Sequence, residues 1–279
     1  APRKTAARPA PRIFPIDIFR RGMVHYIIFR KRVTGLGQVV AIASGKGGVG
    51  KSTIAAGIAA SLTSLGRRVL LIDCDAGLRN LDLMLGIADL GVYNLADVLA
   101  GRRAVAEAAV RHPNYPNLYF ISASTEVDDP LMTEQNMQAL LAQTAEQFDH
   151  IILDCPAGAG RVHRIISGLS DLLLIVTTPE NTAIRDADRT AQLLPAKKQR
   201  LIVNRVTPTL IKSGLFSNID EIIDITAVRL LGLVPEDRNV ILMTNGGYPV
   251  CCGREPAAVA IDNIAARVDG RSRPLYKFW

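Results

Sequence analysis

Short runs of β-branched and aliphatic residues recur along this chain from residue 39 onward, at 39–43, 69–73, 118–122, 150–154, 172–177, 200–204 and 230–234. They are apolar at nearly every position rather than at every second one, so each predicts a strand buried on both faces. Between them lie helix-length segments, the clearest at 51–65, 134–147, 183–194 and 256–268. Strand and helix in alternation predict an α/β fold, a mostly parallel twisted β-sheet with helices on both faces. One domain over residues 37–269 accommodates all of these elements, with a short tail at 270–279. Residues 1–36 break the pattern. Pro2, Pro9, Pro11 and Pro15 exclude a continuous helix in the first half of this arm, while Ile13, Phe14, Ile16, Ile18 and Phe19 alternate with arginines further on. The arm is expected to be a disordered extension, with a membrane-surface segment or a transit peptide as alternatives.

Charge follows the same division. The chain carries a formal +7, yet residues 1–32 hold nine basic side chains and one acid, so everything from Val33 onward sums to −1. A basic nucleic-acid-binding body is therefore not expected, and nucleic acid is an improbable partner. Cys74, Cys155, Cys251 and Cys252 form no CxxC and no paired metal spacing, which points to reduced thiols in a reducing compartment. No apolar run approaches the roughly 18 residues needed to span a bilayer. A cytoplasmic location is expected, with peripheral membrane attachment only through a tether.

The first strand pattern ends at Ser44 and runs into Gly45-Lys46-Gly47-Gly48-Val49-Gly50-Lys51-Ser52-Thr53, ahead of a helical pattern. This satisfies G-x-x-x-x-G-K-[ST] and, more weakly, G-x-G-x-x-G. Both place bare backbone N–H groups and a helix N-terminus against phosphate, so the glycines alone do not separate a triphosphate site from a dinucleotide site. The next two residues do. Lys51 offers a cation to the β- and γ-phosphates and Ser52 a hydroxyl to Mg²⁺, neither of which a pyrophosphate bridge requires. ATP and Mg²⁺ are the expected ligands. The carboxylates needed to organise Mg²⁺ and the attacking water are expected at strand ends: Asp154 closes one apolar run, and Asp73 and Asp75 close another.

Lys46 is unnecessary for cradling the nucleotide of its own subunit. With it, the loop resembles the deviant Walker A class of P-loop ATPases, the MinD/ParA class, whose loop reads K-G-G-x-G-K-[ST]. The segment Asp73-Cys74-Asp75-Ala76-Gly77-Leu78-Arg79-Asn80-Leu81-Asp82 is similar to D-x-D-x-G-L-R-N-L-D of its MinD branch. So are Asp154-Cys155-Pro156-Ala157-Gly158, Thr178-Pro179-Glu180, Val234-Pro235-Glu236-Asp237 and Asn245-Gly246-Gly247-Tyr248-Pro249. The resemblance implies an ATP-dependent homodimer in which Lys46 reaches the partner's phosphates. It implies that Asp75 orients the water, that Asp73 and Asp154 support Mg²⁺, and that Asn80, Pro156 and Gly158 belong to nucleotide-sensing switches. Asn204 and Arg205 would lie at the adenine.

At the level of function the resemblance implies division-site placement, with a recruited septum inhibitor, an ATPase activator and an anionic membrane surface as partners. A DNA-partition relative and a flagellar-number regulator are the alternatives. Members of the MinD branch carry a basic amphipathic helix after the domain, whereas here 270–279 supplies three basic residues and three aromatics. The tether is expected to be absent, replaced by those aromatics, or moved to the arm.

Overall fold

The computed structural model describes residues 37–76, 80–88, 90–124, 130–214 and 218–278, the side chains of Leu210 and Ile211 excepted. The arm, residues 77–79 of the acidic motif and Trp279 lie outside these. The chain runs β1 (Gln38–Ser44), α1 (Lys51–Ser64), β2 (Val69–Asp73), α2 (Leu81–Met84), α3 (Leu95–Leu99), α4 (Val105–Ala108) and β3 (Val110–Arg111). It continues through β4 (Leu118–Ile121), α5 (Glu134–Ala145), β5 (His150–Ala157), α6 (Arg161–Leu169), β6 (Leu172–Thr177) and α7 (Asn181–Leu193). The last elements are β7 (Gln199–Val206), α8 (Pro208–Lys212), α9 (Ile219–Thr226), β8 (Leu230–Pro235), α10 (Asn239–Asn245) and α11 (Pro256–Val268).

The strands form one eight-stranded sheet in the order β3-β4-β2-β5-β1-β6-β7-β8. Every pairing is parallel except β3 with β4. The seven apolar runs are the seven parallel strands, and their side chains divide between two cores because successive residues point to opposite faces. One face packs Val40, Ile42, Leu71 and Ile152 against α1 and α11; the other packs Ala41, Ile72, Leu153 and Leu173 against α5, α7 and α9. Helix α1 is buried almost all round, from Ile54 to Leu62, which is why its sequence shows little amphipathic period.

Crossovers from β1 lead to β2 on one side, while β6, β7 and β8 extend the sheet on the other. The strand order thus reverses beside β1, and in open α/β sheets that is where a crevice opens at the C-terminal strand ends. At the opposite end, Asp269 gathers Arg67 at 2.7 Å, His150 at 3.1 Å and Arg271 at 2.9 Å. The tail folds back from there, and Tyr276 and Phe278 meet edge to face at 5.1 Å with each ring packed against the body.

All four cysteines are free, as expected, with Cys252 exposed and the others buried. A hydrogen bond with the Cys251 thiol brings the Cys252 pKa down to about 7, whereas burial drives Cys155 up to about 12. Iodoacetamide at pH 8 is accordingly expected to modify Cys252 first. Peptide mapping by mass spectrometry should find the other three thiols unmodified until the protein is unfolded.

Candidate active site

The phosphate loop joins the end of β1 to the start of α1. Gly50, the residue before the helix, has φ 91°, and a Cβ there would sit 2.4 Å from the Asn204 amide nitrogen. Only glycine meets both conditions. A Cβ on Gly45 would lie 2.3 Å from the Asp186 carbonyl oxygen, so α7 is held directly against the loop's first residue. Gly48 also has positive φ, and neither Gly47 nor Gly48 has any atom within 4 Å of where a Cβ would be. Their backbone is open for a ligand to approach. Val49 is buried, and its carbonyl accepts from Asn204 Nδ2 at 2.8 Å.

Under the loop, Lys51 Nζ donates to Asp154 Oδ1 at 2.8 Å, the two side chains being 7% and 1% exposed. Burial, the largest influence, would lower the Lys51 pKa, but the charge and hydrogen bond of Asp154, with smaller contributions from Cys155 and Asp75, together outweigh it and the ammonium sits above its ordinary value. Asp154 is pushed upward by burial, against the pull of Lys51. Asp73 is the register partner of Asp154 on the adjacent strand and is itself buried. Burial, then repulsion from Asp154, raises its pKa to about 7. The Asp75 N–H donates to Asp73 Oδ1 at 2.9 Å. Ser52 Oγ lies 3.4 Å from Lys51 Nζ, and Thr53 follows it, half-buried.

Of the proposed site residues, Lys51, Ser52, Asp73, Asp75 and Asp154 thus gather at one point. Pro156 and Gly158 close the site beside β1: the Gly158 N–H donates to the Ser44 carbonyl at 2.9 Å. Asn80 is exposed, just before α2. Arg205 is exposed with φ 55°, 4.0 Å from Glu236. Lys46 lies on its own chain's α7 entrance, its Nζ donating to Glu180 Oε2 at 2.9 Å and Thr182 Oγ1 at 3.1 Å. Sequence reasoning did not give Glu180 or Thr182 a role; no local signal could, since 134 residues separate Lys46 from Glu180. His163 and Ser44 were also missed.

Asp154 Oδ2 is buried with no hydrogen-bond partner. A buried carboxylate oxygen left unmade is costly, and it is the kind of atom a hydrated Mg²⁺ satisfies. The donors therefore fit a Mg²⁺ nucleotide: open backbone for phosphates, one buried cation, one hydroxyl and an unsatisfied carboxylate oxygen.

The family model described as an AAA domain matches residues 37–204. With the sheet order and the loop, that match defines the class, a P-loop ATPase. The septum site-determining protein MinD of Synechocystis is 39% identical over 248 residues, which cover 87% of this chain and 93% of that protein. Among solved structures, the MinC:MinD cell division protein complex of Aquifex aeolicus superposes with a TM-score of 0.80 at 35% identity, covering 87% of this chain and 100% of that one. Pyrococcus horikoshii MinD complexed with Mg-ADP gives 0.72 at 27% identity, covering 84% and 96%. This chain belongs to the MinD family.

Proposed function

We propose that this chain binds Mg²⁺·ATP at the 45–53 loop, hydrolyses it, and cycles between a monomer and an ATP-bound homodimer that acts in placing the division septum. The observation that carries this reading is the buried Lys51–Asp154 pair, with Asp73 alongside and an unsatisfied oxygen remaining on Asp154. Lys51 and the N–H groups of 45–52 hold the phosphates. Ser52, Asp154 and Asp73 hold the cation, which when bound neutralises charge developing on the phosphoryl oxygens. Asp75 orients the attacking water, and Asn80, Pro156 and Gly158 respond to the γ-phosphate. Asn204 and Arg205 face the nucleoside.

Lys46 serves the partner's phosphates. To do so it must leave Glu180 and Thr182, and that is inexpensive: both charges of the ion pair are about half exposed, and such pairs contribute about 0–1 kcal/mol. The dimer recruits a septum inhibitor of the MinC kind and is discharged by an ATPase activator, on the cytoplasmic face of an anionic membrane. No described helix is long and apolar enough to cross a membrane. The ATPase domain is residues 37–269, flanked by the basic arm and the tail.

Asp75→Ala should bind Mg²⁺·ATP, turn it over about 10²-fold more slowly or worse, and elute as a dimer in size-exclusion chromatography with ATP. A monomer with nucleotide demonstrably bound would overturn the homodimer.

A further inference from the structure

The loop between β5 and α6 is fastened by one side chain. His163, in the first turn of α6, is 3% exposed. Its Nε2 contacts the Pro156 carbonyl oxygen at 2.7 Å, and its Nδ1 contacts the Gly160 N–H at 3.2 Å. A carbonyl needs a donor and an N–H an acceptor, so the ring is neutral with its proton on Nε2. One imidazole thus spans both ends of the segment 156–160, made of the last two residues of β5 and the three that lead into α6. At the middle of that segment Gly158, with φ 104°, donates to the Ser44 carbonyl, and Ser44 Oγ in turn donates to the Lys46 carbonyl at 3.1 Å. Hydrogen bonds joined by one or two residues of backbone therefore connect α6 through this segment to the start of the phosphate loop.

We propose that His163 is a positioning residue for ATP hydrolysis, its imidazole clipping the 156–160 segment shut and so holding Gly158 against the end of β1 beside the phosphates. Hydrolysis depends on the water and γ-phosphate being held to within fractions of an ångström. A segment free to open at Pro156 and Gly160 leaves Gly158 tied by a single backbone bond. Ground-state nucleotide binding, carried by 45–52, is untouched. This inference rests on the ATPase reading above.

The test is His163→Ala compared with the parent chain. Hydrogen–deuterium exchange without nucleotide should show the Gly158 and Gly160 amides exchanging about tenfold faster in the variant. With Mg²⁺·ATP, kcat should fall about tenfold while KM changes by less than about twofold. His163→Gln, whose amide nitrogen reaches the place of Nε2, should recover most of the rate. Unchanged exchange, or a parental kcat in the alanine variant, overturns the proposal. If the alanine variant does not fold, His163→Gln and His163→Asn decide the matter, since Asn is too short to reach Pro156: a higher kcat for Gln supports the clip and equal rates overturn it. Because exchange is read without nucleotide, a parent chain that fails to hydrolyse ATP would remove the ATPase reading and still leave the clip itself decided.

Discussion

Lys51→Ala is expected to lose ATP affinity by roughly 10²- to 10³-fold and, with no nucleotide present, to unfold about 3–5 kcal/mol more easily than the parent chain. The two losses have different sources. Affinity falls because the phosphates lose the buried cation beneath them. Stability falls because Asp154, 1% exposed, is left without its partner at 2.8 Å. A buried ion pair contributes little net stability when intact, since desolvation of both charges nearly cancels their attraction, but removing one member strands the other. The Asp154 carboxyl, already pushed upward by burial, would then hold a proton to higher pH still. Lys51→Ala/Asp154→Asn separates the two effects. It should recover most of the stability, measured by urea denaturation, and none of the affinity, measured by titration calorimetry. If the two substitutions instead destabilise additively, a stranded carboxylate is not the cause.

How far such a pair could be foreseen depends on which link is asked for. Asp73 and Asp154 were visible because each terminates a run too apolar to be anything but a buried strand. Their adjacency was not visible, because it needs β2 and β5 to be neighbours, with α2, α3, α4, β3, β4 and α5 intervening in sequence. Strand β5 also outran its apolar pattern: pairing continues to Ala157 through an irregularity after Asp154, where Cys155 and Pro156 give no strand signal. Strand β3, two residues long and half-buried or exposed, carries too few side chains to show a period. Helix α6 was legible and was missed. Val162, Ile165, Ile166 and Leu169 stand at helical spacing, but arginines and Gly168 dilute the stripe. With α6 unplaced, His163 had no reason to meet Pro156. The phosphate loop needed no tertiary information, since its glycines, lysine and hydroxyl are contiguous and its chemistry is carried largely by the backbone.

Asp73→Asn is expected to stabilise the nucleotide-free protein at pH 8, while removing the support for Mg²⁺ that the proposed function gives this carboxylate. The parent carboxyl has its pKa raised from 3.8 to about 7, by burial first and by the neighbouring Asp154 second; the Asp75 N–H and Lys51 offset only part of this. In the unfolded chain the group titrates near its ordinary value. Between about pH 4 and pH 7 the native state therefore holds a proton that the unfolded state has released, so stability falls as pH rises through this window and levels off above it. The whole penalty, on the order of 4 kcal/mol, is present at pH 8. Asparagine cannot ionise and retains an oxygen for the Asp75 N–H. The variant should thus be more stable than the parent by about that amount at pH 8, with the gap closing toward pH 4, when urea midpoints are compared without Mg²⁺. A parent more stable than the variant at pH 8 would mean that Asp73 is held as a well-compensated anion. Under the proposed function the predicted sign has a meaning: the protein keeps a carboxylate that costs stability in the empty site, and the cation of a bound nucleotide would relieve that cost. Binding of Mg²⁺·ATP would thereby be coupled to the strand ends of β2 and β5, from which Asp75 and the 158–160 loop depart.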